Sequence, residues 1–294
     1  MPVKILFIIN STAGRKNTNW SAEIESYFNE KDVELDFYEL TSPVDCDALN
    51  NYIKNAKANK VIAVGGDGTV ALVARFISGS DMALGIIPAG SANGMAKELL
   101  IPESVPQALD IIDQGAVTRI DTVLINDEHI CLHLSDAGIN AQLIRNFEAG
   151  DTRGKIGYLK VAWKTLVRRQ VLKIEIKHNG SIVRRKAFMV VIANAGKYGT
   201  GAVINPVGEI DDGIFEVVVV KRLSFWPIMK MMLSLGFDKK NIEIYQTDSV
   251  DIVSKSPVHF QVDGEYLGKV KKIAAVIQPH QIDMILPKAY LENR

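Results

Sequence analysis

The chain has 294 residues. A single hydrophobic core rarely supports a chain of this length, so the length favours two domains. Hydrophobic residues make up 47% and charged residues 23%, which excludes a disordered chain. The charges of the 34 basic and 34 acidic side chains cancel, so the formal net charge is zero. Overall charge therefore gives no argument for nucleic-acid binding, and any attraction to a membrane has to come from a local patch.

Two cysteines, Cys46 and Cys131, lie far apart and lack the spacing of a zinc or redox pair. This favours a reducing compartment such as the cytoplasm. The apolar run that ends before Asn10 is too short for a signal peptide and predicts a buried first strand. No stretch reaches the ~18 apolar residues of a membrane span, so we expect a soluble or peripheral protein.

The first 120 residues alternate strand and helix patterns. The predicted strands are 5–9, 33–39, 61–64 and 83–87, and the predicted helices are 20–28, 46–58, 70–77 and 105–114. This alternation predicts a doubly wound α/β domain over residues 1–120, which would bind its ligand at the carboxyl ends of the strands.

After residue 119 the chain changes to strands that alternate apolar and polar residues. These predicted strands are 122–125, 130–134, 172–177, 187–192, 215–220 and 250–253. Turn pairs at Asn179-Gly180, Asp212-Gly213 and Asp263-Gly264 favour antiparallel hairpins. We therefore expect an antiparallel β-sandwich-like domain over residues 121–283, with residues 284–294 returning to the first domain.

Three loops, at residues 10–15, 65–69 and 88–94, each follow a predicted strand of the first domain. Glycines let backbone N–H groups approach a phosphate closely, and a helix N-terminus adds a favourable dipole. Because parallel strands end at one edge of a sheet, the loops can converge on a triphosphate, although each alone is also explained as a turn or cap. The residues that we expect to bind the nucleotide are Asn10, Gly14, Arg15, Thr41, Gly65, Gly66, Gly68, Thr69, Gly90, Ser91 and Asn93.

Asp67 is an acidic residue inside the second of these loops. A carboxylate beside phosphate oxygens repels them unless a divalent cation lies between the two groups. The loop therefore predicts a nucleotide together with magnesium.

Other phosphate-binding motifs fit the sequence less well. Residues 66–71 satisfy the GxGxxA variant of the dinucleotide fingerprint, but the next strand ends in Pro88-Ala89-Gly90 rather than in an acid that could hold a ribose. Residues 150–155 have one residue too few for a Walker A loop, and Ile156 stands where a hydroxyl is required.

The loops resemble the lipid kinase family that includes the diacylglycerol kinase and sphingosine kinase catalytic domains. The matching segments are GGDGT at 65–69, GIIPAGSAN at 85–93, GKIGY at 154–158, NAG at 194–196, GTG at 199–201, PVGEIDDG at 206–213 and DGE at 263–265. The first of them also resembles NAD kinases and phosphofructokinases, from which the second and last distinguish this chain. Two residues depart from the common pattern, Ser11 in place of proline and Gly94 in place of aspartate.

The resemblance implies phosphoryl transfer from ATP, with Mg²⁺, to a lipid hydroxyl. It gives Asp67 the role of a metal-side carboxylate, and it favours Glu265 as the base that deprotonates the hydroxyl, with Asp263 in support. An ordinary hairpin turn remains the alternative for residues 263–265. The lipid, and the choice of ATP over GTP, stay open.

Residues 209–214 resemble a second metal position of bacterial members of this family. Asp212 would supply the carboxylate, and Glu209 and Ile214 would supply backbone carbonyls, because hard cations accept oxygen ligands of any origin. A plain turn explains the same residues.

Two segments could reach a lipid. Residues 153–173 contain seven basic side chains and no acidic one, which suits anionic headgroups at the inner membrane surface but also a solvated helix. Residues 225–233 are rich in methionine and suit either contact with acyl chains or a hydrophobic core.

Two alternative functions remain, an NAD kinase and a nucleotide-sensing module without catalysis. The oligomeric state is open, and a homodimer is among the options.

Overall fold

The computed structural model of the chain describes residues 2–12, 18–148, 171–196, 205–221 and 241–292. The chain divides into two compact units, Met1–Ile120 with His280–Arg294, and Asp121–Pro279. Among the described residues, no helix has both the length and the apolar character needed to cross a membrane.

Strands and helices alternate in the first unit. The strands are β1 (Val3–Ile9), β2 (Val33–Glu39), β3 (Lys60–Gly65) and β4 (Ala83–Pro88), and the helices are α1 (Trp20–Phe28), α2 (Cys46–Ala56), α3 (Asp67–Ile77), α4 (Gly94–Glu98) and α5 (Val105–Gln114). The strands pair in parallel in the order β2, β1, β3, β4. Strands β3 and β4 are almost entirely buried, as expected when helices cover both faces of a parallel sheet.

The register of this sheet brings three strand ends together. Ile9 pairs with Val64, and Val64 pairs with Ile87, so β1, β3 and β4 end side by side. The N–H group of Asn10 continues the pairing with a hydrogen bond of 2.9 Å to the carbonyl of Val64. The loops that follow these strands therefore lie at one edge of the sheet, as the sequence pattern predicts.

The remaining elements belong mainly to the second unit, and its limits fall within β5 and β14. They are β5 (Ala116–Ile125), β6 (His129–Cys131), β7 (Leu134–Gly138), α6 (Ile139–Glu148), β8 (Leu172–His178), β9 (Ser181–Ala187), β10 (Met189–Ala193), β11 (Phe215–Val220), β12 (Ile242–Thr247), β13 (Ser249–Val262), β14 (Glu265–Leu286) and α7 (Lys288–Glu292).

The second unit is built on two antiparallel layers that share β13. One layer runs β12, β11, β10, β7 and the end of β13, and the other runs β9, β8, the start of β13 and β14. Residues from both layers form one hydrophobic core, with Ile192 and Val217 from the first and Ile176, Ile252 and Ile273 from the second. The predicted α/β fold with a β-sandwich-like second part is confirmed.

Two of the three predicted hairpin turns are present, whereas Asp212-Gly213 forms a bend before β11 that does not join two paired strands of the described residues. Asn179 and Gly180 have φ angles of 45° and 72° between β8 and β9, and Asp263 and Gly264 have φ angles of 46° and 89° between β13 and β14. Two successive positive φ angles match the twist of antiparallel strands, which explains the Asn-Gly and Asp-Gly pairs.

Candidate functional site

A pocket of about 350 Å³ lies at the strand-end edge of the first unit. Its walls are formed by Asn10, Leu40, Val44, Gly66, Gly68, Thr69, Leu72, Gly90 and Ser91. Six of these residues are ones that the sequence pattern selects. The three apolar residues were missed, because an aliphatic side chain after a strand or inside a helix has no distinctive signal.

Gly65 and Thr69 pack against each other at the base of the second loop. A Cβ atom at Gly65 would lie 2.3 Å from Thr69 Oγ1, so only glycine fits there. The buried hydroxyl of Thr69 accepts a hydrogen bond of 3.1 Å from the Asn10 side chain, which ties the first loop to the second. Gly65 supports the loop from behind and is not among the residues that line the pocket.

The second and third loops meet through glycine backbones. A Cβ atom at Gly90 would lie 2.5 Å from the Cα atom of Gly66. Gly66 is also the N-cap residue of α3, and no side chain caps that helix. The uncapped N-terminus of α3 therefore adjoins the pocket, and such a terminus attracts anions.

Asn93 and Thr41 shape their loops, and neither lines the pocket. Asn93 adopts a left-handed conformation with φ of 52°, and its amide accepts from the Gly90 N–H group at 2.9 Å and donates to the Gly90 carbonyl at 3.0 Å. Thr41 donates to the Pro43 carbonyl at 2.8 Å and accepts from the Asp45 N–H group at 3.3 Å. Gly14 and Arg15, also expected to bind nucleotide, lie outside the described residues.

Asp67 joins the second loop to the third. Its two carboxylate oxygens accept hydrogen bonds of 2.9 Å from the backbone N–H groups of Gly94 and Met95, at the start of α4. The sequence pattern offered only a cation as a partner for this acid. In the structure, backbone dipoles already stabilise its charge.

In the second unit, Asp263 lies in a cradle of backbone N–H groups. Its carboxylate accepts from Leu132 at 2.7 Å, from His133 at 2.9 Å and from Leu134 at 3.0 Å. Burial raises the pKa of Asp263, and the three N–H groups and the nearby His133 act in the opposite direction without offsetting it fully. An acid held by three donors is suited to fixing the turn.

The thiol of Cys131 also faces this carboxylate, at 3.5 Å. Burial and the adjacent Asp263 raise the pKa of the Cys131 thiol well above its ordinary value, so the thiol keeps its proton and acts as a donor. The predicted strand 130–134 is divided here, because β6 ends at Cys131 and β7 begins at Leu134.

Glu265, the first residue of β14, is exposed and follows the same turn. The turn is held by Gln261, whose amide oxygen accepts from the Gly264 N–H group at 2.6 Å and whose amide nitrogen donates to Asp136 at 2.5 Å. Asp136 is buried and also accepts from the Ala141 N–H group at 3.0 Å, near the start of α6. Sequence reasoning missed both Gln261 and Asp136.

Asp212, predicted to bind a second metal, accepts a hydrogen bond of 3.1 Å from the Ile214 N–H group. Burial raises the pKa of Asp212, the Ile214 N–H group lowers it, and the carboxylates of Glu216, Glu209 and Asp121 raise it further. Asp212 thus lies within electrostatic reach of three other acids, although no group of three or more His, Cys, Asp or Glu side chains in the described residues could hold a metal ion.

Comparison with known proteins gives two family matches. The diacylglycerol kinase catalytic domain matches residues 4–125, and the YegS C-terminal NAD kinase beta sandwich-like domain matches residues 134–286. The chain is 28% identical over 246 residues to a Pectobacterium atrosepticum protein named "Probable lipid kinase YegS-like", covering 80% of this chain and 82% of that one. It is 25% identical over 284 residues to an uncharacterized Synechocystis protein, covering 89% of this chain but only 65% of the relative.

Solved structures show the same fold. A diacylglycerol kinase from Bacillus anthracis str. Sterne has a TM-score of 0.73 at 18% identity, with 98% of both chains covered. An NAD kinase from Archaeoglobus fulgidus in complex with ATP has a TM-score of 0.59 at 14% identity, with 98% of this chain and 96% of that one covered. Since the two family matches span most of the sequence, the resemblance is confirmed, and the chain belongs to the family of diacylglycerol kinases and YegS-like lipid kinases.

Proposed function

We propose that this protein is an ATP-dependent, magnesium-requiring kinase that phosphorylates a lipid hydroxyl. The observation that carries the proposal is the 350 Å³ pocket, six of whose nine lining residues belong to the loops that follow β1, β3 and β4. Such an edge is where parallel α/β sheets bind their ligands. Family membership supports a kinase, and the ATP bound to the Archaeoglobus NAD kinase of similar fold supports ATP as the donor.

The pocket suits the two ends of ATP. Backbone N–H groups near Gly66, Gly68 and Ser91, at the uncapped start of α3, would bind the phosphates. Leu40 and Leu72 would pack against the adenine ring, because flat aromatic ligands bury well against aliphatic side chains.

Magnesium would be needed in this account, and the donor set fits it. A magnesium ion bound with the triphosphate would offset the charge of the bridging oxygens. The second, structural position would use the Asp212 carboxylate and the carbonyls of Glu209 and Ile214, all oxygen donors of the kind that Mg²⁺ prefers. The negative charge of Glu216, Glu209 and Asp121, which raises the pKa of Asp212, supports this assignment.

Glu265 would be the catalytic base. Its exposed carboxylate would take the proton of the lipid hydroxyl as the hydroxyl oxygen attacks the γ-phosphorus. The bond between the γ-phosphorus and the bridging oxygen then breaks, and ADP leaves with the electron pair. Asp263, whose carboxylate already accepts three backbone N–H bonds, would hold the turn that carries Glu265.

A transfer assay tests the proposal. The protein is incubated with γ-labelled ATP, magnesium and neutral detergent micelles that contain diacylglycerol, a sphingoid base or ceramide, and in parallel with soluble NAD. We expect label in at least one lipid, none in NAD, and far less label in lipid with the Glu265→Gln variant. Label in NAD alone would identify an NAD kinase, and nucleotide binding without transfer to any acceptor would identify a nucleotide sensor.

A further inference from the structure

One face of the second unit combines positive charge with exposed apolar side chains. This basic face is the outward side of β9, β8, the start of β13 and β14, opposite the hydrophobic core. Register pairs Lys173 with Lys186 and Glu175 with Arg184 across β8 and β9. The six cations on the face are Lys173, Lys177, Arg184, Lys186, Lys255 and Lys272.

Among the described residues of this face, only two acids lie between the cations, and both are paired. Glu175 binds Arg184 at 2.8 Å, and Asp251 binds Lys272 at 3.0 Å. Within the described parts of the chain, the four remaining lysines of the face form no ion pair. They give it an excess of positive charge in a protein whose overall charge is zero.

Three branched apolar side chains stand exposed among the lysines. Ile182 is 59% exposed, Val276 47% and Val253 39%. Two depressions of about 520 and 490 Å³ lie on the same face, the first beside Lys186 and Val253 and the second beside Ile182 and Val276. Exposed apolar side chains that lie together among polar residues often mark an interaction surface.

We propose that the basic face docks on a bilayer rich in anionic phospholipid. Lysine ammonium groups gain energy at a negatively charged lipid surface, and the apolar side chains between them can enter the interfacial region. A second copy of the chain fits this face poorly, because two-fold pairing would bring two faces of the same positive charge together. The docking surface lies on strands and shares only Lys173 with the basic segment 153–173, of which residues 153–170 lie outside the described residues.

Vesicle binding tests the inference without nucleotide or phosphoryl transfer, so its outcome is independent of the proposed kinase reaction. The wild-type protein is sedimented with vesicles of phosphatidylglycerol and phosphatidylcholine in equal parts, and with vesicles of phosphatidylcholine alone. We expect binding only to the anionic vesicles, weakening as salt is added.

The decisive variant combines Lys173→Gln, Lys186→Gln and Lys255→Gln. We expect binding on the order of 100-fold weaker, since each lysine near an anionic surface contributes about a fivefold effect. A matched variant, with Lys54→Gln, Lys57→Gln and Lys288→Gln on exposed positions of the first unit, should bind as the wild type does. Equal thermal unfolding of both variants would show that the fold is intact.

A third variant replaces the apolar groups by Ile182→Thr, Val253→Thr and Val276→Thr, which keeps β-branched residues in the strands. We expect weaker binding to anionic vesicles and an unchanged molecular mass. The inference would be overturned if the lysine variant bound anionic vesicles as tightly as the wild type. It would also be overturned if the wild-type protein labelled lipid in neutral micelles but did not bind anionic vesicles. A lower oligomeric mass of the threonine variant with vesicle binding unchanged would overturn it as well.

Discussion

Gly66 and Gly90 touch through their backbones, so that a Cβ atom on Gly90 would lie only 2.5 Å from the Cα atom of Gly66. Two loops that are separate in sequence are thereby fixed as two walls of one pocket. The shape of the candidate nucleotide site depends on this contact. A glycine-to-alanine substitution, which adds one methyl group, tests that dependence.

Gly90→Ala should lower the free energy of unfolding by about 1–3 kcal/mol, because neither backbone can move away from the added methyl group cheaply. It should also weaken ATP binding, which calorimetry measures. Gly68→Ala is the control for stability, since a Cβ atom there meets nothing within 4 Å. Equal stability of the two variants would show that the loops are not held by this contact.

Asp67→Ala should destabilise the protein and abolish phosphoryl transfer. The change leaves the N–H groups of Gly94 and Met95 without their acceptor, at an expected cost of about 1–3 kcal/mol in unfolding free energy. Asp67→Asn keeps one acceptor oxygen and should fall between the alanine variant and the wild type in thermal unfolding. Undiminished transfer by the alanine variant to every accepted lipid would refute the role of this loop.

Substitution of Glu265 should affect catalysis, whereas substitution of Asp263 should affect stability. Glu265→Gln removes an exposed carboxylate and should lower kcat by about 10²–10⁴, with ATP affinity and thermal unfolding unchanged. Asp263→Asn disturbs a carboxylate with three backbone donors and should lower the unfolding temperature. If Glu265→Gln retains wild-type kcat, Glu265 is not the base.

Gln261→Leu should lower kcat with little change in the KM for ATP. The side chain connects the Gly264 N–H group to Asp136, and its loss frees the turn that carries Glu265. Gln246→Leu is a matched control, because Gln246 also bonds a buried acid, Glu216, at 3.0 Å. A fall in stability alone, without a fall in kcat, would limit Gln261 to a structural role.

Acid should destabilise the second unit through Glu243. Burial raises the pKa of Glu243, but hydrogen bonds from Tyr245, Arg185 and Lys221 outweigh it and lower the pKa from 4.5 to about 2. A depressed pKa means that the stabilisation is present above pH 4.5 and is lost as pH falls towards 2, and solvent screening limits the loss to on the order of 1 kcal/mol. Thermal unfolding at several pH values should show this loss in the wild type and a smaller one in Glu243→Gln; equal slopes would contradict it.

The sequence reveals much of the fold and part of the site. Asn10, Gly66, Thr69 and Gly90 could be selected because glycine and capping residues at the ends of parallel strands have a local signature. Leu40, like the other apolar walls of the pocket, could not, since its role depends on packing.

Contacts made over long separations were also hidden from sequence reasoning. Asp67 takes its two donors from residues 27 and 28 positions away, and Asp263 takes its donors from about 130 positions away. No periodic pattern encodes such pairs. The roles of these two acids as anchors therefore became visible only in three dimensions.

A crystal structure of the protein with magnesium and a non-hydrolysable ATP analogue tests the central claim most directly. The account predicts that the phosphates lie at the uncapped start of α3, among Asn10, Gly66 and Ser91. It predicts that the adenine ring lies near Leu40. A nucleotide bound elsewhere, with the 350 Å³ pocket left open, would contradict it.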